Sequence, residues 1–144
     1  LGAVAYFLYC SSCRKADYIL LGLVLSVGPL SDIFYTRLGL LQYHSNSNAL
    51  LLSEFPPLWV FLLWGLFGVN IHLFSWLNRR WWLAMLLGAL GGPISYLSVL
   101  RLGGASLLKP LPWVFIAIGG IWAIFLPAFI WLNHFLKKRF RGIP

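Results

Sequence analysis

The chain of 144 residues is 60% hydrophobic and only 10% charged, with a mean hydropathy of +0.84. A soluble domain has roughly a quarter of its residues charged, so no water-soluble fold could hide this much apolar surface. Lys and Arg outnumber Asp and Glu 11 to 3, a formal net charge of +8, but a nucleic-acid reading needs a basic face on a folded polar domain, and the sequence offers none.

The first apolar stretch, Leu1 to Tyr9, is too short to span. A crossing of ~30 Å of hydrocarbon takes ~20 residues at ~1.5 Å each. It is read as the end of a helix whose start precedes this sequence. It has no basic n-region and no small-residue cleavage site, so it is not a signal peptide. Cys10 and Cys13 follow in a C-S-S-C, a lone CxxC without the βαβ context of a redox motif, and are read as incidental reduced cysteines.

Four long apolar segments come next, Tyr18 to Leu41, Leu58 to Leu77, Trp81 to Leu100 and Trp113 to Leu136. Between the first two lies a polar loop, Gln42 to Pro57, without Lys or Arg. The fold class expected is an all-α integral membrane protein in one transmembrane domain over residues 1–144. It has five apolar helices, the first truncated, and six in the complete protein.

Basic residues are retained on the cytoplasmic side of a membrane protein. Arg14, Lys15, Arg79, Arg80, Lys137, Lys138, Arg139 and Arg141 share one side if every segment spans, against Arg37, Arg101 and Lys109 on the other. That places the C-terminus in the cytoplasm, and attraction to anionic lipid accounts for the rest of the charge.

An internal repeat organises the spans. Gly28-Pro29-Leu30-Ser31 is followed by Arg37-Leu38-Gly39, and Gly92-Pro93-Ile94-Ser95 by Arg101-Leu102-Gly103. The helices behind them echo each other too, Pro57-Leu58-Trp59-Val60-Phe61 in Pro112-Trp113-Val114-Phe115. The unit is a helical hairpin, about 18–78 and 81–136, and the two copies are parallel because an even number of crossings separates them. Each Gly-Pro falls ~15 Å into its helix, near the bilayer midplane, where proline removes a backbone hydrogen bond and kinks the helix. Ser31 and Ser95 are placed to satisfy the freed carbonyls. Ala84, Gly88 and Gly92 form a small-residue stripe suited to close helix contact.

Asp32 is the acid deepest in an apolar segment, and an ionisable group there needs a partner. By height along their helices, Tyr96 (~22 Å) and Arg101 (~30 Å) stand near Asp32 (~21 Å). The expected polar cluster is Asp32 paired with Arg101, with Tyr96 donating a hydrogen bond. Arg37 points to another face of the same helix. Asn70 and His72 sit lower, and a lone His there reads as a packed residue. The three histidines, His44, His72 and His134, are scattered with no pair at metal-ligand spacing on one helix, and a lone CxxC is weak evidence, so no metal, no cofactor and no catalytic residue is expected.

The run Gly88-Ala89-Leu90-Gly91-Gly92-Pro93-Ile94-Ser95-Tyr96 ending in Arg101-Leu102-Gly103, together with Asp32, Gly39-Leu40-Leu41, Pro57-Leu58-Trp59, His72, Trp76, Trp122 and Leu126-Pro127, resembles the bacterial membrane family catalogued as domain of unknown function 2878. The resemblance implies a multi-pass inner (plasma) membrane protein whose relatives often neighbour genes for fatty-acid modification. It implies no established activity. Here the Asn of position 70 does not directly precede His72 as it does in the family pattern.

Nothing marks the chain as an enzyme. The functional expectation is a non-enzymatic accessory or structural subunit packing against other membrane chains and lipid, through Trp64, Phe67, Phe125 and Phe129 read as an outward aromatic surface. The alternative is a small carrier or lipid-handling protein with a site at the Gly-Pro kinks near Asp32.

Overall fold

The computed structural model describes residues 14–44 and 56–140. The expected Leu1 to Tyr9 helix, Cys10, Cys13, Arg141 and most of the Gln42 to Pro57 loop lie outside the described residues. Among the described residues four helices make the body: α1 (Arg14–Arg37), α2 (Leu58–Asn70, continued by a 3₁₀ segment, Ile71–Leu77), α3 (Trp81–Arg101) and α4 (Leu111–Phe140). Each is long and apolar enough to cross a membrane, with the 3₁₀ segment counted in the second span, Leu58–Leu77. The described residues are mainly helical, as in a membrane protein, and the four apolar segments of the sequence are these four spans.

The first span begins and ends earlier than its hydropathy indicates. α1 starts at Arg14 and stops at Arg37, because Gly39 takes a positive φ of 62° and turns the chain. Leu41 then enters a strand the apolar run conceals. Strand β1 (Leu41–Tyr43) pairs antiparallel with β2 (Ala105–Leu107), reached through Gly103 at φ 72°. In register, Leu41 faces Leu107, Gln42 faces Ser106 and Tyr43 faces Ala105. His44 N and Leu108 N extend the ladder to Gly104 O and Leu40 O at 2.9 and 3.1 Å. A two-stranded ladder is too small to stand alone. Here it rests on Tyr35, Leu40, Leu41, Val114 and Ile118, which form a buried cluster at one end of the bundle.

Small residues set how the helices approach. A Cβ on Gly88 would collide with the main-chain carbonyl of Trp122, and one on Gly92 with the Trp122 indole, so the Ala84, Gly88, Gly92 stripe is where α3 meets α4. Gly28 meets the Trp64 indole in the same way between α1 and α2. Pro29 and Pro93 both lie inside continuous helices. By the i to i−4 pattern they free the carbonyls of Leu25 and Ala89. The serine hydroxyls go elsewhere: Ser31 donates to Gly28 O at 2.6 Å and Ser95 to Gly91 O at 2.8 Å. Ala89 O is covered instead by α4, where a Cβ on Gly119 would stand 2.8 Å from it.

The aromatic residues expected on the outside are inside. Trp64 is 4% exposed and Phe129 5%, and Phe67 and Phe125 pack against the same core. Trp64 stacks on Trp122 with centroids 5.1 Å apart and planes 10° apart, and Phe67 stands edge-on to both. Phe67 and Phe125 in turn meet Phe129. At the far end from the ladder, Lys137 of α4 reaches the buried Asp17 of α1 at 3.5 Å.

Candidate functional site

Asp32 is 1% exposed and lies in the last turns of α1, beneath the ladder. Three donors from three other elements meet its carboxyl group. Tyr43 of β1 donates to Oδ1 at 2.5 Å, Trp64 Nε1 of α2 donates to Oδ2 at 2.7 Å, and Tyr96 of α3 donates to Oδ1. A carboxylate offers about four acceptor positions, so these donors take most of its capacity. Burial first, and Asp32 second, push the Tyr43 phenol above its ordinary range, which keeps it a donor. Tyr35 stands edge-on to Tyr96 with centroids 5.7 Å apart.

The expected Asp32 to Arg101 pair is not made. Arg101 is the last residue of α3 and is exposed, beyond Tyr96 toward the helix end. Neutral donors already satisfy Asp32, and a guanidinium at a helix end is better hydrated at the membrane boundary than dragged inward. Arg37 is exposed at the end of α1. Tyr96 therefore joins Asp32 as expected, whereas Tyr43 and Trp64 are contributors that sequence reasoning misses.

A cavity of about 340 Å³ opens beside this cluster. Its walls are α2 and α3, which barely touch each other, with Trp122 of α4 behind. Leu63, Leu66, Phe67 and Val99 make its sides apolar; Asp32, Tyr43 and Tyr96 supply its polar end. Leu63 is 50% exposed, so the cavity lies half open on the face between the two helices. Ser95 and Asn70 also line it, Asn70 with its amide turned back onto Leu66 O at 2.8 Å. His72 does not belong here. Its Nδ1 lies 2.9 Å from Val69 O, and it lines a second cavity nearer the end of α4. Asn70 and His72 are thus divided between two cavities.

Volume, apolar walls and a few convergent polar groups are the features of a small-molecule site. Two buried polar atoms near it, Tyr35 Oη and Trp122 Nε1, have no hydrogen-bond partner among the described residues. No group of three or more His, Cys, Asp or Glu placed to hold a metal ion occurs among the described residues.

The family described as "Protein of unknown function (DUF2878)" matches residues 1–128, and the chain belongs to that family. No curated protein and no solved structure matches the chain.

Proposed function

We propose that this protein is a small lipid-handling or carrier protein of the bacterial inner membrane, holding an apolar-chained ligand in the cavity between α2 and α3. The observation that carries this reading is the cavity itself: half open on a membrane-facing side, apolar along its walls, and closed at one end by the Asp32 cluster. A ligand entering sideways keeps its chain in contact with Leu63, Phe67 and Val99. Its polar group reaches the remaining acceptor capacity of Asp32. Membrane lipids are the ligand source. The accessory-subunit reading rests on short loops and small-residue stripes as well as on outward aromatics, and it loses part of that support because Trp64 and Phe129 are buried.

The internal repeat supports a site at this place. Gln42 and Ser106 face each other in the ladder, and each is the third residue beyond its positive-φ glycine. Antiparallel register centred on such a pair is what a local two-fold between copies about 18–78 and 81–136 requires. Asp32 and Tyr96 each follow the serine of their Gly-Pro motif, and they hydrogen-bond to one another across that junction. The stacked Trp64 and Trp122 each cover the glycine of one motif, Gly28 and Gly92. Binding sites of repeat-built carriers lie at such a junction.

On this reading the full chain, extracted gently from native membrane, retains a chain-bearing lipid that solvent extraction and mass spectrometry identify, and Leu63→Trp, which fills the cavity from an exposed position, loses it. Retention of the same lipid by Leu63→Trp would place it elsewhere on the surface. The topology has its own check. With the C-terminus cytoplasmic, a cysteine replacing Asn46 is labelled from outside intact cells and one replacing Arg139 is spared. The reverse pattern would overturn the charge-based orientation.

A further inference from the structure

We propose that the polar cavity at the C-terminal end of α4 binds a phosphate group, the chemistry shared by anionic lipid headgroups and free phosphate. This cavity, about 550 Å³, lies between the 3₁₀ segment and the last turns of α4. It shares no lining residue with the cavity beside Asp32, so it stands whether or not that site holds a ligand.

Its lining is rich in hydrogen-bond donors. His134, Lys137 and Lys138 come from α4, and Asn78 and Ser75 from the opposite wall. Asn133 adds an amide from α4: the residue is 5% exposed and lines the cavity. An amide among the cavity-lining side chains can donate to an oxygen-rich ligand. Lys137 is tethered by Asp17 at 3.5 Å, which fixes its ammonium at the cavity wall. That ammonium carries three donors, and Asp17 does not exhaust them. Phosphate oxygens are acceptors only, and ammonium, imidazole and amide donors are their natural partners.

Depth favours a headgroup. From Trp113, at the outer interface, to Lys137 is ~36 Å along α4, more than the ~30 Å of hydrocarbon. Lys137 and Lys138 therefore stand at the level of lipid phosphates. On the charge-based topology this is the cytoplasmic leaflet, where anionic lipids lie.

The test incubates the purified full chain with phosphatidylglycerol or with phosphatidylcholine of the same acyl chains and counts retained lipid by native mass spectrometry. A separate arm follows the ³¹P line width of inorganic phosphate. Phosphatidylglycerol is retained over phosphatidylcholine; Lys138→Gln weakens its retention about fivefold. Asn133→Leu weakens it without changing charge. Arg79→Gln removes an exposed charge outside the cavity and leaves it unchanged. Should Asn133→Leu fail to fold, the exposed Lys138 and Arg79 carry the comparison. A phosphate line broadened by the wild type and not by Lys138→Gln shows that the phosphate group alone suffices; no broadening beside selective lipid retention assigns the site to the headgroup. Equal retention of the two lipids, or equal loss in Arg79→Gln and Lys138→Gln, would show diffuse surface attraction and overturn the proposal.

Discussion

Asp32→Leu is expected to lower stability by about 3 kcal/mol in detergent unfolding, while Arg101→Leu changes it by less than about 0.5 kcal/mol. The carboxyl group is the common acceptor for Tyr43, Trp64 and Tyr96, so its loss leaves three donors in a place that water does not reach. Hydrogen bonds within membranes are individually modest, ~0.6 kcal/mol on average and up to ~1.7. The sum is nonetheless large because one side chain joins α1, α2, α3 and the ladder. Tyr96→Phe removes one of the three and is expected to cost about 1 kcal/mol. The cycle Asp32→Leu with Tyr96→Phe is non-additive, since the second change costs little once the acceptor is gone. If Arg101→Leu proved as damaging as Asp32→Leu, and the double variant were partly rescued, an ion pair would have to replace this network.

Gly88→Val is the second large effect, a loss of about 1–3 kcal/mol from overpacking rather than from a lost bond. Its side chain would meet the Trp122 main-chain carbonyl, and a carbonyl in a helix cannot swing away as a side-chain tip can. Relief requires α3 and α4 to separate along the stripe that also holds Ala84 and Gly92. Gly22→Val is the control. A Cβ on Gly22 meets nothing within 4 Å, so that change is expected to be nearly neutral in the same unfolding assay. Equal sensitivity at both positions would mean that helix propensity, not close approach, governs the stripe.

The spans are legible in the sequence because ~20 apolar residues in a row admit few other structures. Their bounds shift where a local turn signal outweighs hydropathy. Gly39 ends the first helical path before the apolar run is over, and Leu41 serves a strand rather than a helix. Three-residue strands carry too little alternation to be read from sequence, yet the repeated R-L-G before each one is an available signal. Counting rise along the helices places Asp32 beside Tyr96, and that contact exists. The same count cannot decide Arg101, whose long stem reaches outward as easily as inward.

The inward position of Trp64 and Phe129 is hidden for a different reason. In a bilayer both the core face and the lipid face of a helix are apolar, so α2 and α4 carry no stripe that separates them. The glycines hold the missing information. Gly28 and Gly92 are the positions against which Trp64 and Trp122 pack, and a glycine opposite an indole marks an inward ring.

The most direct measurement is photo-cross-linking of the full chain in native-like bilayers with a fatty acid carrying a diazirine near its chain end. The cavity reading predicts labelled peptides that contain Leu63, Leu66, Phe67 and Val99. Leu63→Trp suppresses that labelling at the remaining three positions, whereas background labelling at the exposed Ile124, outside the cavity, is unchanged. Labelling spread evenly over exposed positions such as Leu30, Leu90 and Ile116, and indifferent to Leu63→Trp, would contradict it.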